Sequence, residues 1–76
     1  MNSDFDRRVG QNIRALRIQS KMTQDELAAK LQIRGCDMTR GALAKVETGL
    51  RHIYTDEVYL IRDILKCSYE DLFREN

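Results

Sequence analysis

Two hexapeptides with their threonines sixteen residues apart constrain this chain more than anything else in it: Met22-Thr23-Gln24-Asp25-Glu26-Leu27 and Met38-Thr39-Arg40-Gly41-Ala42-Leu43. Each is a complete helix head. Thr23 and Thr39 are of the residue type whose side chain accepts from orphan first-turn amides, and the Met and Leu of each hexapeptide have the spacing of a hydrophobic staple. Thr23 and Glu26 add capping-box spacing. The first head is acidic and the second is not. Two short helices in succession, the second without acid at its N-terminus, make a pattern in which the second helix can enter a nucleic-acid groove.

The second helix closes at Gly49, a good C-terminal stop. At 100° per residue Leu43 and Val46 fall on one side with Leu50, while Arg40, Gly41, Ala44, Lys45 and Thr48 fall on the other. The outer face is therefore small residues flanked by cations. Between the two helices lies Gln32-Ile33-Arg34-Gly35-Cys36-Asp37, longer than the usual turn of three or four residues. Gly35 is expected to end an extended first helix of the pair, with Ile33 folding back on the core.

The rest of the chain reads as support for this pair. Phe5, Val9, Ile13 and Leu16 recur at helical spacing and predict a helix from about Asp4 to Ser20. Thr55 is expected to cap a fourth helix, with Tyr54 and Tyr59 as its staple and Asp56 and Glu57 in its positive first turn. Val58, Ile61 and Leu65 form its core stripe. Ser68 is expected to cap a fifth helix, stapled by Cys67 and Leu72, on which Tyr69 and Phe73 recur four apart. The fold class is an all-α bundle of five short helices, one domain spanning residues 1–76.

At 76 residues the chain is near the lower size for a self-sufficient core, which leaves little room for a catalytic pocket. No nucleophile, base and orienting group can be assembled, so an enzyme is not expected. Two cysteines and one histidine are too few for a zinc site, and neither a signal peptide nor a membrane span is recognisable. A cytoplasmic location with reduced thiols follows, with no metal, cofactor or small-molecule effector. The net charge is only +1, but it is unevenly spread. Residues 1–53 hold ten cations and six acids, residues 54–76 three cations and six acids. A polyanion would sit against the first part.

Met22-Thr23-Gln24-Asp25-Glu26-Leu27-Ala28, followed by Leu43-Ala44-Lys45-Val46-Glu47-Thr48-Gly49 and by Cys67-Ser68-Tyr69-Glu70-Asp71-Leu72-Phe73, resembles the Cro and phage-repressor class of helix-turn-helix domains, the XRE-like family. The resemblance runs from about Val9 to Phe73. It implies a lambda-repressor-like five-helix domain whose helices 2 and 3 form the helix-turn-helix, with helix 3 in the major groove of double-stranded DNA. Carried over by position, it implies phosphate contacts at Thr23, Gln24, Thr39, Thr48 and Arg51, and base contacts at Arg40, Gly41 and Lys45. It also implies a structural pair of Arg17 and Glu47.

The residues themselves weigh on these roles. A cation near the positive end of a helix is otherwise unfavourable, which favours a base contact over a solvated Arg40. Lys45 reaches either a base edge or a phosphate. Gly41 costs helix stability, and either close approach to DNA or tight packing would account for it. His52 is read as a loop residue, and Tyr54 as packing or a phosphate contact. Because one domain covers a half-site, a homodimer on a pseudo-palindrome is expected. Its patch would draw on Leu60, Ile64, Tyr69 and Phe73, unless helix five simply covers Leu60 and Ile64. The function that follows is a small prokaryotic or phage repressor. The alternative is an antitoxin-like module in which the same fold holds a protein partner.

Overall fold

The structure is a computed structural model that describes residues 3–75. Five helices follow in order: α1 (Ser3–Gln19), α2 (Gln24–Ile33), α3 (Arg40–Glu47), α4 (Thr55–Leu65) and α5 (Tyr69–Phe73). No strand occurs among the described residues. One core cluster draws on all five: Val9 and Ile13 from α1, Leu27 and Leu31 from α2, Leu43 and Val46 from α3, Val58, Ile61 and Leu65 from α4, and Leu72 from α5, with Met38 from the turn before α3. The apolar stripes at helical spacing thus meet in a single interior.

Helix starts are set by local chemistry. The Thr23 hydroxyl accepts from the Glu26 amide and the Glu26 carboxylate accepts from the Thr23 amide, which completes a capping box. Ser68 and Asp71 repeat this arrangement at α5. Thr39 accepts from the Ala42 amide at the head of α3. The expected start of α4 is corrected by one residue: its N-cap is Tyr54, not Thr55. The Glu57 carboxylate accepts from the Tyr54 amide at 3.0 Å, so Glu57 supplies at N3 what Tyr54 cannot. The staple positions therefore pass to Ile53 and Val58, both part of the core, while Tyr54 and Tyr59 are exposed.

Helix ends are as local. After α2, the Cys36 amide donates to the Leu31 carbonyl and the Gly35 amide to that of Gln32, with Gly35 at φ +84°. After α3, Leu50 donates to Lys45 and Gly49 to Val46, with Gly49 at φ +79°. Both are Schellman turns, in which glycine takes the left-handed position without a Cβ penalty. Gly35 does end α2 as expected. Ile33 does not fold back: it is 85 % exposed, because the Schellman turn directs Cys36 rather than Ile33 toward Leu31.

Helix α1 packs on α3 with almost no intervening side chain. A Cβ on Gly10 would lie 2.1 Å from the Val46 carbonyl oxygen. Farther along, Asn12 donates to the carbonyls of Leu72 and Arg74 at 2.8 and 2.9 Å, which fastens the end of α5 to α1. Phe5 departs from the expected core stripe: it is 39 % exposed and stacks on Phe73.

Candidate nucleic-acid interface

The heads of α2 and α3 and one side of α1 enclose a shallow polar depression of about 520 Å³, lined by Arg14, Arg17, Met22, Thr23, Gln24, Asp25 and Arg40. Of the residues singled out in the sequence, it brings together Thr23, Gln24, Arg17 and Arg40. Lys45, Thr48 and Arg51 lie outside it, farther along α3 and in the loop that follows. Arg14 joins the depression without having been expected there; its only sequence signal is a position off the α1 stripe.

The frame of this depression is a buried ion pair. Arg17 Nε donates to Glu47 Oε2 at 2.7 Å and Nη2 to Oε1 at 3.0 Å, and Arg17 Nη1 donates to the Met22 carbonyl at 2.8 Å. Glu47 also accepts from the Gln24 side-chain amide at 3.0 Å. Four elements are tied by one carboxylate and one guanidinium: α1, the turn after it, the head of α2 and the end of α3. A bidentate Arg–carboxylate pair with its remaining sites used fixes geometry as well as distance.

These bonds decide which donors remain available. The Thr23 amide is taken by Glu26, and those contacts hold the Glu26 carboxyl below the ordinary carboxylate range. The Gln24 amide group is turned inward to Glu47. What the head of α2 offers outward is the first-turn backbone amides of Gln24 and Asp25, which have no intrahelical acceptor and sit at the positive helix end. At the head of α3, Arg40 is exposed and lies 3.8 Å from Asp25, a loose surface pair that holds little energy.

On α3 the most outward positions are Gly41 and Thr48, flanked by Ala44 and Lys45. The Thr48 hydroxyl is bonded back to the carbonyls of Ala44 and Lys45, so its proton is used within the helix. A Cβ on Gly41 would meet only the Thr39 hydroxyl, at 3.9 Å. Packing therefore does not account for Gly41. Gly41→Ala is expected to raise stability by about 0.5 to 1 kcal/mol through helix propensity alone. A denaturation midpoint below that of the parent chain would show a constraint at Gly41 that its open surroundings do not reveal.

The loop after α3 is held more tightly than its sequence suggests. Arg51 donates to both oxygens of Glu57, each at 3.0 Å, and to the His52 carbonyl. Burial alone would raise the Glu57 carboxyl, but the bonds from Arg51 and the Tyr54 amide hold it below its usual range. Arg51 thus serves first as a clamp between the loop and α4, and only its outer edge is left for a phosphate. His52 is more than a loop residue: its Nδ1 lies 3.3 Å from Oδ1 of Asp6, a buried acid of α1. Neither Asp6 nor Glu57 carries a sequence signal for these roles beyond its acidic type.

The expected dimer patch does not form one surface. Leu60 and Ile64 pack against the core, and Ile64 lines a groove beside Met22 and Ile33. Tyr69 and Phe73 lie on the other side of α4, where they line a depression with Thr55 and Val58. Phe5, Phe73 and Tyr69 form a continuous stack there, with Arg8 over Phe5 at 5.0 Å and Arg62 over Tyr69 at 4.7 Å. The reason is rotational: Leu60 and Ile64 sit roughly 160° around α4 from Val58 and Arg62.

Comparison with known proteins agrees with this architecture. No curated protein matches the chain. The crystal structure of the DNA-binding domain of BldD superposes with a TM-score of 0.79 over 96 % of this chain and 99 % of that one, at 16 % identity, which establishes a shared fold. A family model described as helix-turn-helix matches residues 13–72. The paired heads at Thr23 and Thr39, the buried Arg17–Glu47 tie and that match over most of its length place the chain in the helix-turn-helix family, in its Cro and phage-repressor, XRE-like class.

Proposed function

We propose that this chain is a sequence-specific double-stranded DNA-binding transcriptional regulator of the small prokaryotic or phage repressor kind, acting in the cytoplasm with α3 in the major groove. The observation that carries this reading is the outward face of α3. It combines an unobstructed Gly41, a small Ala44 and two exposed cations, beside first-turn α2 amides that lack intrahelical acceptors at a positive helix end. Such a face admits close approach of a base-pair edge, while the amides and cations meet phosphates. Arg40 is assigned to a base, Lys45 to a base edge or phosphate, and Thr23 and Thr39 to the backbone. Gln24, Thr48 and Arg51 act mainly by positioning, since their side chains are engaged within the chain.

The homodimer belongs to the same proposal, with its surface revised. Tyr69 and Phe73 are kept, Phe5 is added, and Leu60 and Ile64 are left to the core and the groove. Two aromatic stacks with arginines at their ends offer apolar area across a two-fold axis.

The test is a gel-shift series on DNA selected from a random pool, run at increasing salt. Retention that is sequence-specific and weakens steeply with salt is the expected result; no retention at low salt overturns the reading. Arg40→Ala, an exposed site that leaves folding intact, should reduce the preference for the selected site over scrambled DNA by about 10- to 100-fold, the equivalent of a lost bidentate guanine contact of ~1 to 3 kcal/mol. An unchanged preference would remove Arg40 from base reading.

A further inference from the structure

The groove between α2 and α4 meets the DNA face only at Met22 and does not include the aromatic face. It is an open trough of about 580 Å³. Met22, Ile33 and Ile64 form its apolar floor and one wall, and Lys30, Arg34 and Lys66 stand around it. Asp63 is the one acid in the lining, and it is held by Arg34 at 2.7 Å. Ile33 is the most exposed large hydrophobic among the described residues, at 85 %. An exposed apolar patch rimmed by polar residues, here with cations in excess, marks a contact surface.

Its shape and chemistry narrow the occupant. No strand edge exists among the described residues to accept an extended peptide by sheet addition, and no aromatic lines the trough as proline-rich ligands require. A double helix has no apolar ridge to cover Ile33 and Ile64. A second copy seated here about a two-fold axis would bring Lys30, Arg34 and Lys66 against their own counterparts, which charge disfavours. A trough between two helices with an apolar floor takes an amphipathic helix, and a cationic rim selects one whose flanks are carboxylates. Met22, with its adaptable thioether, lets the floor fit more than one anchor.

We propose that this groove docks an acidic amphipathic helix of a partner protein, with an aliphatic or aromatic anchor set against Ile33, Met22 and Ile64 and with Asp or Glu side chains against Lys30 and Lys66. Apart from Met22, which also lines the depression at the DNA face, the lining lies in the last turns of α2 and α4 and at their C-caps, about 15 Å along a ten-residue helix from the α2 head that the DNA reading uses. Partner and DNA are therefore expected to bind together, with Met22 between them.

The proposal is tested on the whole chain without DNA, so it stands or falls separately from the DNA reading. The probe is a synthetic helical peptide of roughly four turns with leucine at i, i+4 and i+7 and glutamate elsewhere on its flanks. Its control carries lysine in place of glutamate. In an amide NMR titration the acidic peptide should move the signals of Lys30 to Arg34 and Asp63 to Lys66, and should bind at least about tenfold more tightly than the control. Ile33→Glu, at a fully accessible position, should weaken it by at least about tenfold without altering the thermal midpoint. Equal binding of the two peptides, or none, overturns the proposal. So do shifts centred on α3, which would mean that the acid is imitating DNA, and displacement of the peptide by duplex DNA. A parent chain that self-associates, with Ile33→Glu making it monomeric, would assign the groove to a second copy and likewise overturn it.

Discussion

Glu47→Ala should remove a large share of this protein's stability. Glu47 is 2 % and Arg17 8 % exposed, and removing the carboxylate leaves a guanidinium buried against α3 with only the Met22 carbonyl to answer it. Breaking a buried pair from one side costs about 3 to 5 kcal/mol. A chain of 76 residues has roughly 4 to 11 kcal/mol in all. The loss comes from the stranded charge, so removing both partners should be mild by comparison. Arg17→Met combined with Glu47→Leu is expected to recover most of the stability, because two charges no longer need to be stripped of water. Urea denaturation of the parent, the single variant and the double variant reads this directly. A single-variant loss under about 1 kcal/mol, as for exposed pairs, would show that Arg17 escapes to solvent and that the tie is dispensable. The double variant should still lose the anchor for Gln24, so its fold and its head geometry separate.

The second large effect is expected at Gly10. Its missing Cβ would stand 2.1 Å from the Val46 carbonyl oxygen and 3.0 Å from the Glu47 carbonyl carbon, both backbone atoms that no rotamer change can move. Gly10→Ala gains helix propensity but forces α1 and α3 apart, and should cost about 3 kcal/mol, the upper part of the overpacking range. Set beside Gly41→Ala, the same substitution in another helix, it should have the opposite sign. Equal stability of Gly10→Ala and the parent chain, measured by thermal and urea denaturation, would mean that the two helices can separate freely. Any separation would also displace Glu47, which follows Val46 directly, and so would loosen the ion pair.

The parts of the fold that can be read from sequence are those whose causes are local. Thr23, Thr39 and Ser68 announce their helices because a cap oxygen and the amide that donates to it lie three residues apart. Gly35 and Gly49 announce helix ends because the left-handed position favours them. Lys21 and Lys66 take the same conformation at φ +60° and +55° and announce nothing, since a lysine there is indistinguishable from any surface lysine. The start of α4 was displaced by one residue because Thr55 is the better capping type, whereas the bond that counts is made backward by Glu57. Gly10, Asn12 and Asp6 are silent for another reason: each answers a segment more than thirty residues distant. The same limit explains the divided dimer patch. Apolar residues beyond the core stripe of α4 were visible, but which side of it faces α5 depends on packing.

The candidate interface divides in the same way. Its residue types and helix heads were visible through spacing and family resemblance. The direction of each side chain was not, and direction determines that Gln24 and Arg51 spend their donors inside the chain.

The Arg17–Glu47 tie has a consequence for the duplex. Because the head of α2 and the end of α3 share one carboxylate, the two helices form a stiff reader with few internal adjustments to offer. With α3 in the groove as proposed, a mismatch of shape falls on the DNA, which must bend, narrow or untwist to meet both heads. Base pairs that no side chain touches would then be selected for their deformability, at a cost set by how readily their steps distort. A regulator with so few base-reading side chains would owe part of its selectivity to the mechanics of its operator.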